Sequence, residues 1–155
     1  ERAVEDIVPG GTPIRIWSDG SCAPNPGPGG WGAIVEAAGN RREYSGAALN
    51  STNNMMEMTA AIEALGHTPE AAEVHVTTDS EYLKNGITQW IRGWKRNGWK
   101  TASGHAVKNQ DLWRSLDGLV AKRTVHWHWV KGHSGHPEND RCDELANEAR
   151  LRLSR

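Results

Sequence analysis

Apolar positions recur along this chain in two rhythms, a short one suited to strands and a longer one suited to helices. Ile14, Ile16 and Trp17 form a run that ends at Asp19 and predicts a strand over residues 14–19. Residues 31–37 and 41–47 carry two more such runs around a turn at Gly39-Asn40. They predict a hairpin and, with the first strand, an antiparallel meander. Met58, Ile62 and Leu65 keep helical spacing within 52–65, with Ser51 or Thr52 as cap and Gly66 as stop. Residues 73–78 make the next strand. Ser80 then caps a short helix that stops at Gly86, Thr88 caps another over 89–96, and Asn109 caps a third over 110–122. Residues 123–130 form the last strand, in which the alternating Trp127 and Trp129 read as core. A glycine-rich loop over 131–137 leads to a final helix over 139–153.

The resulting order is βββ-α-β-α-α-α-β-α. Three antiparallel strands followed by βα units imply an α/β fold, a mixed sheet with helices on both faces. Ligands in such sheets bind beyond the carboxyl ends of the parallel strands. Residues 1–13, ending in Pro9-Gly10-Gly11-Thr12-Pro13, read as a tail, and 14–155 as one domain. A chain of 155 residues is long enough for a proper core.

Composition narrows the class. Hydrophobic residues are 37% and charged residues 24%, ordinary for a globular protein. No apolar run approaches the roughly 20 residues that span a bilayer. The polar start carries no secretory signal, so the expected location is cytoplasmic, without membrane attachment. Cys22 and Cys142 are too few for a disulfide scaffold and are expected to be reduced and buried, although their proximity to the acids below would let them pair under oxidation. The net charge of −1 argues against a nucleic-acid ligand, but it hides an asymmetry. Between Glu81 and Asp111 there is no acid, while Lys84, Arg92, Lys95, Arg96, Lys100 and Lys108 are basic. A local patch of this kind is the footprint of a phosphate backbone. Trp90, Trp94 and Trp99 lie inside it, in a chain with eight Trp and no Phe.

The acids that matter are Asp19, Glu57, Asp79 and Asp143. Asp19 and Asp79 end strands, and Glu57 and Asp143 lie in helical patterns. Taken singly, each has a plain reading as a turn, cap or solvated helix residue. Gathered together, carboxylates repel and raise one another's pKa values. A hard divalent cation removes that penalty, and Mg²⁺ prefers oxygen ligands. The cluster therefore points to metal-assisted phosphoryl chemistry. His126, His128, His133, His136 and Cys142 invite a zinc reading, but their spacings match no standard finger.

Asp19-Gly20-Ser21-Cys22, the 25–30 segment Asn-Pro-Gly-Pro-Gly-Gly, Thr52-Asn53-Asn54-Met55-Met56-Glu57, Thr78-Asp79-Ser80 and the 130–143 stretch around Lys131-Gly132-His133 resemble the motifs of ribonuclease HI, in order and spacing, from about residue 14 to 150. The resemblance implies a ribonuclease H-like fold, with a five-stranded sheet of three antiparallel and two parallel strands flanked by helices. It also implies hydrolysis of the RNA strand of RNA/DNA hybrids, leaving 5′-phosphate and 3′-hydroxyl ends. Asp19, Glu57, Asp79 and Asp143 match the family's catalytic carboxylates, which share two Mg²⁺ ions, with Mn²⁺ as a substitute. His133 matches a loop histidine that moves a proton or aids product release. Asn25, Asn53 and Asn54 match minor-groove readers, and Thr52 and Asn109 a DNA-phosphate pocket. Residues 88–108 resemble a basic handle, in which Trp90 meets a DNA sugar and Lys95, Arg96 and Lys100 meet phosphates. Met55 stands where relatives often have Arg, and Glu81 where Gln is common. The implied partner is the hybrid, with no obligate protein partner and a monomeric chain. Two rivals remain: a polynucleotidyl transferase of the integrase or transposase kind on the same fold, and a hybrid-binding module without catalysis.

Overall fold

The computed structural model describes residues 12–132 and 136–153. His133 and most of the predicted N-terminal tail lie outside the described residues. The strands are β1 (Ile14–Cys22), β2 (Gly27–Ala37), β3 (Asn40–Ser51), β4 (Glu73–Thr78) and β5 (Thr124–Trp129). The helices are α1 (Asn53–Gly66), α2 (Glu81–Asn85), α3 (Ile91–Arg96), α4 (Gln110–Ala121) and α5 (Pro137–Arg152). The sheet order is β3-β2-β1-β4-β5. β1, β2 and β3 pair antiparallel, and β4 runs parallel to both β1 and β5. This is the five-stranded mixed sheet that the pattern predicts.

Side-chain alternation along β1 separates the two layers. A Cβ at Gly20 would run into the backbone of Met56 and Glu57 in α1. Gly32, the partner of Asp19 in β2, instead backs onto Cys142 and Leu145 of α5. The α1 face carries the main core, with Ile14, Ile16, Val74, Val76, Met58, Leu65, Leu83, Trp113 and Leu116 all out of solvent. Each fully buried aliphatic side chain there contributes about 1.5–3 kcal/mol. A smaller cluster of Trp17, Ile34 and Cys142 lies under α5.

Several local expectations need correction. β1 does not end at Asp19 but continues to Cys22, because Asp19–Cys22 pair with Gly29–Gly32. The strand predicted over 31–37 accordingly begins earlier, at Gly27, and includes Gly29 and Gly30. A Cβ at Gly30 would strike the backbone of Ala146 in α5, so glycine serves close helix packing there. Gly86 does not stop a helix: the backbone stays right-handed through a π-helical turn over Gly86–Trp90 that joins α2 to α3. Thr88 accordingly caps nothing, and its hydroxyl donates to the Lys84 carbonyl at 2.6 Å. Asn109 is left-handed (φ 58°) and makes no side-chain cap bond; its amide donates to the Tyr82 hydroxyl at 3.1 Å. Trp127 and Trp129 are only half-buried, because β5 is an edge strand, and their rings stack at 5.2 Å.

Candidate active site

Backbone geometry delivers each acid to one place. Asp19 projects from β1 on the α5 side, since its partner Gly32 faces α5. Asp79 follows the last residue of the neighbouring parallel strand β4. Thr52 starts α1, its hydroxyl accepting from Met55 N at 3.1 Å, and so fixes Glu57 in the helix's first turns. The absence of a side chain at Gly20 lets that part of α1 lie directly on β1. Asp143 comes from the second turn of α5, which begins at Pro137.

One carboxylate oxygen each from Asp19, Glu57 and Asp79 lies within 4.8 Å of the other two. Asp143 stands near enough for its charge to act on Asp19. Burial, then the charges of Asp79 and Asp143, push the Asp19 carboxyl up from 3.8 to about 7. Burial first, then Asp19 and Asp79, likewise hold Glu57 well above the usual carboxylate range. Glu57 Oε1 is buried with no hydrogen-bond partner among the described residues. A buried acceptor left unpaired costs about 1–3 kcal/mol. An all-oxygen set with mutual repulsion and an unpaired buried oxygen fits a hard divalent cation.

The surroundings are shaped to the same point. A Cβ at Gly132 would lie 2.7 Å from Asp79 Oδ2, so a side chain there would push the carboxylate aside. In the sequence, the places of Gly20 beside Asp19 and of Gly132 after the last strand are the available signal for these close approaches. Thr78, Asp79, Glu81, Lys84, Trp129 and Lys131 line an adjoining cavity of about 220 Å³. Glu81 thus brings an extra carboxylate beside Asp79. Cys142 is buried and Cys22 half-buried, and both are free thiols. Burial pushes the Cys142 thiol far above its usual range.

The other predicted residues fall into two groups. Asn25 Oδ1 accepts from Asn53 N at 3.1 Å, which ties the β1–β2 loop to the start of α1, with Asn54 exposed beside it. Thr52 and Met55 line a cavity of about 360 Å³ with Pro26, Gly27, Asn50 and Ser51. The second group lies along α3 and the segment after it. Trp90 is exposed, with its ring against Trp94 and Tyr82. Arg96 and Lys100 are exposed, and Lys95 pairs with Asp117 at 3.2 Å. Asn109 is tied to this group through Tyr82, which also accepts from Trp113 Nε1.

The RNase H family model matches residues 12–150. Ribonuclease H of Hydrogenovibrio crunogenus is 55% identical over 136 residues, covering 88% of this chain and 94% of that one. Ribonuclease H of Paramagnetospirillum magneticum is 51% identical over 145 residues, covering 94% of each. Among solved structures, LC9-RNase H1, described as a type 1 enzyme with the type 2 active-site motif, superposes with a TM-score of 0.81 at 35% identity. That match covers 93% of this chain and 74% of that one. LC11-RNase H1, solved in complex with an RNA/DNA hybrid, shares the fold at a TM-score of 0.70 and 24% identity, covering 92% and 99%.

Proposed function

The chain belongs to the ribonuclease H family, a family of enzymes, and from that premise we propose that Asp19, Glu57, Asp79 and Asp143 form its catalytic centre for cutting the RNA strand of RNA/DNA hybrids. The observation that carries the reading is the gathering of Asp19, Glu57 and Asp79 oxygens within 4.8 Å around an unpaired buried Glu57 oxygen. The products are a 5′-phosphate and a 3′-hydroxyl.

Asp19, Glu57, Asp79 and Asp143 would hold two Mg²⁺ ions, or Mn²⁺ in their place, which would supply Lewis acidity for the attacking water and the leaving 3′ oxygen. The chain's own contribution is position. Asp19 occupies the centre of the cluster, and Glu57, rigid in α1, reaches the ribose 2′-hydroxyl beside the scissile phosphate. His133 moves a proton or aids product release. Asn25, Asn53 and Asn54 form one edge that reads the minor groove, where the 2′-hydroxyl separates RNA from DNA. Thr52 and Asn109 hold a DNA phosphate. Trp90 packs on a DNA sugar, and Lys95, Arg96 and Lys100 grip the backbone, Lys95 exchanging Asp117 for phosphate. Backbone and 2′-hydroxyl contacts carry no base code, so cutting has little sequence preference. The unit is residues 14–155, monomeric and cytoplasmic, behind a tail over 1–13. No helix among the described residues is long and apolar enough to cross a membrane.

Asp19→Asn tests the assignment. Cleavage should fall by about 10³-fold or more, while hybrid affinity stays within roughly threefold of wild type. Normal cutting by this variant would remove Asp19 from the centre.

A further inference from the structure

We propose that Glu73, His75 and His126 form a second metal site, for a borderline transition-metal ion of which Zn²⁺ is the representative. The site lies on the open face of the sheet, away from the carboxylate cluster. Parallel register puts His75 beside His126 and Thr77 beside His128 on the neighbouring strand. Val74 and Val76 point into the core, so Glu73 and His75, which alternate with them, point the other way. α5 packs across β1, β2 and β3. The same face over β4 and β5 is left accessible, with the side chains of Glu73, His75 and His126 exposed by 47%, 34% and 45%. His75 precedes Asp79 by four residues, roughly 13 Å along a strand.

The donor geometry is close to that of a bound ion. Tetrahedral zinc with bonds of 2.0–2.1 Å separates neighbouring ligand atoms by about 3.3 Å. Glu73 Oε2 lies 3.4 Å from His75 Nε2 and 3.3 Å from His126 Nε2. One ligand atom from each of the three residues lies within 4.8 Å of the other two. His75 Nδ1 sits 2.9 Å from His128 Nε2. With His75 donating through Nδ1, its Nε2 keeps a lone pair for the metal, and His128 acts as the outer partner that fixes the tautomer. The His75 and His126 rings now stack at 4.6 Å, and a modest ring rotation turns both nitrogens toward one point. Two imidazoles and one carboxylate select Zn²⁺, Cu²⁺ or Ni²⁺ over Mg²⁺, and the fourth position is left to water. Spacing along one segment could not reveal this set, because two ligands come from β4 and one from β5.

The test is calorimetric titration of the full chain with zinc chloride in saturating Mg²⁺, which keeps the carboxylate cluster filled. The expected result is one Zn²⁺ per chain. Binding should weaken at least tenfold in His75→Asn and in His126→Asn, and about 10–100-fold in His128→Phe. It should be unchanged in Asp19→Asn. Cu²⁺ in place of Zn²⁺ should give an electron paramagnetic resonance spectrum with coupling to two imidazole nitrogens, reduced to one in His75→Asn. Mg²⁺-dependent hybrid cleavage by the His75 and His126 variants should match wild type, which separates this site from the proposed catalytic one. No zinc binding in Mg²⁺, or zinc binding that survives both histidine variants, would overturn the proposal and leave an exposed ion-pair cluster.

Discussion

Asp19 is held where its own charge is unwelcome. Burial and two neighbouring carboxylates raise its pKa to about 7, and Glu57 is shifted in the same direction. In metal-free protein the sign follows from linkage: a raised folded-state value means that the native state holds the proton more tightly than the unfolded chain. The stabilisation is complete below about pH 4 and lost as pH rises through about 7. In EDTA, the melting temperature of wild type relative to Asp19→Asn should therefore fall between pH 4 and 8, leaving the variant about 5 °C more stable at the upper end. Thermal melts of both proteins across that range are the check, and parallel curves would count against the shift. At this scale the gathering of acids was legible: four acids in four local patterns could be picked from sequence. The approach of Gly20 to α1 and of Gly132 to Asp79 was not, because a glycine's packing partner is set by tertiary structure.

Elements show where pattern reading misleads. Gly86 was a reasonable helix stop, since glycine is the commonest residue just past a helix end. Its place here is instead decided by the Trp113 indole, which occupies the space where a side chain would stand. Gly86→Ala should accordingly cost about 1–3 kcal/mol by overpacking, seen as a lower denaturant midpoint at unchanged slope. Stability equal to wild type would mean that Trp113 moves aside easily. Gly30 and Gly32 of β2 likewise serve close packing, since α5 lies where their side chains would stand. The basic stretch was legible by its lack of acids, yet its internal scaffold was not. Asn97 donates to the Lys100 and Thr101 carbonyls, Lys100 bridges to Ala106, and Arg114 lies over Trp99. If this scaffold presents cations to phosphate, the triple change Lys95→Ala, Arg96→Ala, Lys100→Ala should reduce the slope of log affinity against log salt by about 2–3. Hybrid binding measured from low to moderate salt reads that slope directly, and an unchanged slope would place the grip elsewhere.

Over the whole molecule, a net charge of −1 conceals two regions of opposite sign, a carboxylate cluster and a basic stretch between Glu81 and Asp111. Mixed topology brings them into one molecule. Antiparallel β1–β3 and parallel β4 carry Asp19 and Asp79 to adjacent strands, while α1 and α5, packed on opposite faces, bring Glu57 and Asp143 in from either side. The mixed sheet and the helices on both its faces could be foreseen because strand and helix periods differ clearly in this chain. The edge position of β5 could not be weighed, so its tryptophans were placed deeper than they lie. The most direct measurement is cleavage of end-labelled RNA/DNA hybrid, RNA/RNA, DNA/DNA and single-stranded RNA, each in Mg²⁺ and in EDTA, by wild type and Asp19→Asn. Cutting of the hybrid's RNA strand alone, in Mg²⁺ alone and by wild type alone is the predicted result. Cutting of DNA, cutting in EDTA, or no cutting by wild type would contradict the assignment of the four carboxylates to metal-dependent hybrid hydrolysis.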